Sequence, residues 1–65
     1  MRILSTAAGV ATVEISKDDL LILNNALNEV CHGLDVWDFQ TRMGADKPDV
    51  LKLLHRVSEA LSRTE

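Results

Sequence analysis

Residues able to do chemistry are few in this chain: one cysteine, two histidines, ten acidic side chains and an unusual group of asparagines. Cys31 and His32 are adjacent, which invites a metal or nucleophile reading. Neighbouring positions on a helix diverge by about 100°, so the pair cannot grip one ion well. No second Cys or His lies at ligand spacing, and His55 stands alone. A nucleophilic cysteine also needs a positioned base, and no residue pattern supplies one. Cys31 therefore reads as a small buried structural side chain. Asp35, Asp38, Asp46 and Asp49 have the look of paired carboxylates for acid–base or metal work, but helix capping accounts for all four. Ser5 and Ser16 lack the setting of a catalytic triad, and there is no Gly-rich phosphate loop. The expectation is a protein that is not an enzyme and has no cofactor and no metal.

Asn24, Asn25 and Asn28 are the more telling group. Asparagine is a poor helix former because its amide competes for backbone hydrogen bonds. Three of them within five positions of a predicted helix need a reason. On a helical projection Asn24 falls at the edge of the apolar arc, beside Cys31. Asn25, Asn28 and His32 point to the polar face with Leu21. One reading is a polar recognition strip or an amide network between subunits; the other has Asn24 tying down a loop and the rest merely solvated. Trp37 is the remaining candidate for an interface. If Phe39 occupies the core, Trp37 is turned well away from it, and exposed tryptophan suits a protein contact. Core placement against the hairpin or a partner chain is the other possibility. Asn24, Asn25, Asn28, His32 and Trp37 together form the candidate interface set.

A second function class is raised by FQTRMG (39–44). A short helix, a glycine turn, then apolar Val50 and Leu53 six and nine positions after Gly44 is helix-turn-helix spacing. The helix pair over 36–62 would then bind DNA, with Lys47, Lys52, His55 and Arg56 as contacts. Asp46 and Asp49 stand where such a helix meets phosphates. Residues 45–65 balance four basic side chains against four acidic ones, and the whole chain carries a net charge of −3. Phosphate neutralisation needs the opposite balance, so nucleic acid is an unfavoured partner.

These residues must be positioned by a very small structure. Residues 10–15, VATVEI, are rich in β-branched side chains and alternate, with Val10, Thr12 and Glu14 facing one way and Ala11, Val13 and Ile15 the other. With MRILS at 1–5 and a connection of Thr6, Ala7, Ala8 and Gly9 they predict a β-hairpin. Ala7 and Ala8 also allow a helical turn, which would leave one strand behind a loose N-terminus. A lone hairpin has two open edges and is not stable in water. It is expected to lie on the helices and is able to pair with a second copy.

Three helix starts share one pattern: an apolar residue, then Ser or Asp, an acid three positions on, and another apolar residue. The copies are ISKDDL (15–20), LDVWDF (34–39) and ADKPDV (45–50), each read as an N-cap with a hydrophobic staple. Pro48 falls in a first turn, where its missing N–H costs nothing. Gly33 and Gly44 supply the stops. The predicted helices are about 17–32, 36–43 and 47–62. The first has a broad apolar arc of Leu20, Leu23, Ala26, Leu27, Val30 and Cys31, with Ile22 at its margin. A helix apolar over so much of its surface needs neighbours on two sides, so it is placed at the centre. The third has a narrower stripe of Val50, Leu53, Leu54, Val57, Ala60 and Leu61.

The expected fold class is α+β: an N-terminal hairpin followed by three helices, in one domain over 1–65. Sixty-five residues bury too little surface for comfort. A single cysteine excludes an internal disulfide, so self-association is the natural supplement. No apolar run is long enough to span a membrane. The lone cysteine and an N-terminus too short for a leader predict a cytoplasmic setting. LNNALNEVCHG (23–33) together with DFQTRMGA (38–45) resembles a family of small uncharacterised bacterial proteins. The resemblance covers half to two-thirds of the chain and implies a bacterial cytoplasmic origin, with no activity attached. The expected function is non-catalytic, through protein–protein contacts and a homodimer, with helix-turn-helix DNA binding as the alternative.

Overall fold

A computed structural model describes the whole chain, residues 1–65. The elements are β1 (Arg2–Ala7), β2 (Val10–Glu14), α1 (Lys17–Asn28), a π-helical turn (Glu29–Gly33), α2 (Phe39–Met43) and α3 (Lys47–Arg63). The α+β architecture is the expected one: an antiparallel hairpin, then three helices.

The hairpin connection is tighter than the expected four residues. Only Ala8 and Gly9 lie outside the strands, with φ of 51° and 77°. Two consecutive left-handed residues match the right-handed twist of the flanking strands. The register sets Arg2 opposite Glu14, Ile3 opposite Val13, Ser5 opposite Thr12, Thr6 opposite Ala11 and Ala7 opposite Val10, with Leu4 as the extra residue of a bulge. Alternation then divides the sheet into an uncharged face (Ile3, Thr6, Ala11, Val13) and a face that carries the exposed Arg2–Glu14 ion pair at 3.2 Å.

The hairpin also brings the first correction. It was expected to lie on the helices, yet every residue of both strands is exposed. Its one ion pair to the helices is at its base. The N-terminal ammonium lies 3.3 Å from the Asp19 carboxylate, and only Ile15 and Ser16 separate β2 from α1.

Helix α1 starts where the sequence says. The Ser16 hydroxyl accepts a hydrogen bond from the Asp19 amide at 3.1 Å. The half-buried Ile15 and buried Leu20 occupy the staple positions. The helix does not stay α-helical to residue 32. From Glu29 to Gly33 it opens into a π turn, closed by the Leu34 amide donating to the Glu29 carbonyl at 2.8 Å.

The second helix is three residues shorter than expected at its start. Its cap is Asp38, in the left-handed region at φ 53°, and not Asp35. Leu34, the supposed staple, is exposed instead. Gly44, at φ 73°, closes the helix, its amide donating to the Gln40 carbonyl at 2.8 Å. Helix α3 begins after Asp46, with Pro48 in its first turn. The Asp46 carboxylate makes no capping bond; its backbone carbonyl accepts from the Asp49 and Val50 amides at 3.0 and 3.1 Å.

The core is small. Cys31, Val50 and Leu54 form its buried centre, with Leu27, Phe39, Met43, Ala45 and Leu51 packed partly buried around it, while Leu20 is buried separately. Cys31, beyond the end of α1, meets residues early in α3, whereas Asn24, earlier in α1, bonds Ser58 later in α3. The two helices therefore run antiparallel. The α3 stripe is displaced from the expected one: Leu53 and Ala60 are exposed, and Leu51 and Ser58 turn inward.

Candidate functional site

The first consequence of this packing is that α1 has a neighbour on one side only. Leu27 and Cys31 pack with Val50 and Leu54 of α3, but Ile22 is 66% exposed and Leu23 and Ala26 are exposed beside it. The sequence expectation of two covered sides fails because the hairpin stands away from the helix. At 100° per residue, Ile22, Leu23 and Ala26 share one flank of α1, and Leu53 and Ala60 share one flank of α3. Because the helices are antiparallel, both flanks lie on the same side of the pair. Together with the uncharged hairpin face, where Ile3 is 67% exposed, they leave two apolar surfaces open.

The molecule's dimensions say the same. It measures 35 × 30 × 15 Å, with a radius of gyration of 13.0 Å. A compact chain of this length has a radius of about 10.7 Å. The larger radius fits a hairpin whose strands stand exposed beside the packed helices. The accessible surface is 5135 Å², against about 4,100 Å² for a folded monomer of this mass.

The candidate interface residues do not form one group. Asn24 is turned into α3, where it accepts a hydrogen bond from the Ser58 hydroxyl in a half-buried setting. It ties down a helix, where the sequence suggested a loop. Asn25, Asn28 and His32 are exposed, with the exposed Leu21, and Asn25 borders Ile22 three positions along.

Trp37 is separate again, at the α2 corner and 77% exposed. The Arg42 guanidinium carbon lies 5.7 Å from the centre of its ring, in cation–π range. With Asp38 as the cap, Trp37 and Arg42 occupy the two staple positions, so an indole–guanidinium contact stands where two apolar side chains usually meet. Thr41 Oγ1 donates to Asp38 Oδ1 at 3.1 Å and completes the corner.

Lys47, Lys52, His55 and Arg56 are all exposed on α3, as are Asp46 and Asp49 at its start. Glu59 and Arg63 pair at 2.7 Å. Helix α3 packs chiefly on α1 and the π turn. The surface has no pocket, and no three of His, Cys, Asp and Glu gather at metal-binding distance. No helix is long and apolar enough to cross a membrane.

Sequence reasoning missed the joint apolar flank of α1 and α3. The signal was present in part, because the apolar arc of α1 is wider than one neighbour covers. Placing Leu53 and Ala60 in the core hid the rest. Comparison with protein-family models, curated proteins and solved structures yields no match.

Proposed function

We propose that this chain is a non-catalytic binding module that works as part of an assembly, through protein–protein contacts and self-association. The observation that carries this is the uncovered apolar surface. The chain exposes about 1,000 Å² more than a folded monomer of its mass should. A standard protein interface buries about 800 Å² on each partner. The excess is thus one interface in size, and it is apolar where the hairpin and the α1–α3 flank lie open. Trp37 with Arg42 adds a protruding corner of the residue types that dominate binding energy. A bacterial, cytoplasmic setting belongs to the same proposal, on the resemblance of 23–33 and 38–45.

Sedimentation equilibrium tests the reading. A mass above the 7.2 kDa of one chain is expected throughout the micromolar range. A well-folded species that stays at 7.2 kDa there overturns self-association.

DNA binding by the α2–α3 pair has less behind it. Five-residue α2 is short for a first helix, and the basic side chains of α3 are diluted by Asp46, Asp49 and Glu59.

A further inference from the structure

Resting on that reading, we infer that the partner is a second copy of this chain, held by reciprocal exchange of hairpins. The uncharged hairpin face of each copy lies across the Ile22, Leu23, Ala26, Leu53 and Ala60 flank of the other.

Two apolar surfaces on one chain lack an occupant, and each suits the other. The hairpin face carries no charged side chain, whereas on the flank the exposed Arg56 falls between Leu53 and Ala60 and Asp49 lies one turn before Leu53. The longer strand spans about 20 Å at about 3.3 Å per residue. Helix α1 spans about 18 Å at 1.5 Å per residue, so the hairpin covers it end to end.

The chain's own hairpin is kept off its own flank. Only Ile15 and Ser16 separate β2 from α1, and the N-terminal ammonium lies 3.3 Å from Asp19, so the hairpin base sits at the first turn of α1. Asp19 precedes Ile22, Leu23 and Ala26 by three, four and seven positions, so the base sits at one end of the apolar flank. From there the strands run out exposed along their whole length.

A two-fold axis makes the exchange mutual and closed, giving a dimer and no further growth. The open apolar surfaces of both copies are then covered at once. Pairing hairpins edge to edge would satisfy backbone groups but leave both apolar surfaces in water. The Leu4 bulge also disrupts the β1 edge.

Charge-swapped variants give the test. Ile3→Lys alters the hairpin face and Ile22→Glu alters the flank, and both side chains are exposed within one chain. Each variant is expected to lose the dimer, with a dissociation constant raised roughly 100-fold or more, because its homodimer traps two unpaired charges. An equimolar mixture is expected to recover a species of twice the 7.2 kDa chain mass. In that heterodimer one contact is unaltered and the other pairs Lys with Glu.

If a single variant also loses helical circular dichroism, the mixture must recover both the signal and the mass. A dimer that survives Ile3→Lys overturns the exchange in favour of flank on flank. One that survives Ile22→Glu overturns it in favour of edge pairing. Failure of the mixture to reassemble overturns it outright. In all three cases self-association of the unaltered chain stands, whereas an unaltered chain that is itself monomeric sinks both.

Discussion

The hydrogen bond from Ser58 to Asn24 is the one side-chain bond that joins α1 to α3, and removing it has a calculable cost. Asn24→Ala leaves the Ser58 hydroxyl half-buried with its acceptor gone. A net hydrogen bond contributes about 1 kcal/mol, and an unsatisfied half-buried partner adds about 1 kcal/mol more. The change to alanine returns about 0.6 kcal/mol of helix propensity. The sum is a loss of about 1.5 kcal/mol.

Asn25→Ala is the internal control. It lies on the same helix, one position along, exposed and without a side-chain hydrogen bond. It gains the propensity term alone and is expected to stabilise by about 0.5 kcal/mol. The double variant Asn24→Ala with Ser58→Ala removes both polar groups, so the two losses should not add, and a coupling of about 1 kcal/mol is expected. Urea unfolding followed by circular dichroism at one fixed protein concentration measures all four. The concentration must be held because association contributes to stability. If Asn24→Ala stabilises as much as Asn25→Ala, the bond contributes nothing to the α1–α3 contact and the energetic account of Asn24 is wrong.

Three further outcomes follow from the same coordinates. Leu54→Ala empties the centre of a core with three buried side chains; the usual loss of about 2–5 kcal/mol should leave it largely unfolded at 37 °C, read as loss of cooperative melting. Ala8 holds φ 51° without being glycine, so Ala8→Asn, which favours that conformation in such a turn, should raise stability by about 0.5 kcal/mol in the same urea assay. Trp37→Ala should change unfolding free energy by less than about 0.5 kcal/mol, because the ring is mostly in water, yet reduce capture of a protein partner from a host lysate; a large loss of stability would show that the indole–guanidinium corner is structural.

The hairpin, the first and third helix starts and the Gly44 stop were legible before any coordinates, because each is signalled by residues within a few positions of one another. Ser16 with Asp19, Gly44 at positive φ, and Pro48 in a first turn act locally, so local sequence predicts them. Asp38 displaced Asp35 as the second cap for a reason no local pattern shows. The chain leaves α1 through the π turn, and Phe39 reaches the core from a shorter helix.

Of the five candidate interface residues, the sequence grouped four of them by proximity on one helix segment. The tertiary structure separated Asn24 from the others by giving it Ser58, and set Trp37 apart beside Arg42. Chain length and the wide apolar arc of the first helix already implied that 65 residues leave apolar surface in need of a neighbour. They could not say where the surplus lies, since a helix wheel records which residues share a face and not which neighbour covers it. Only the packing decided that: α3 covers one side of α1, the exposed hairpin stands clear of the other, and Ile22, Leu23 and Ala26 are left open.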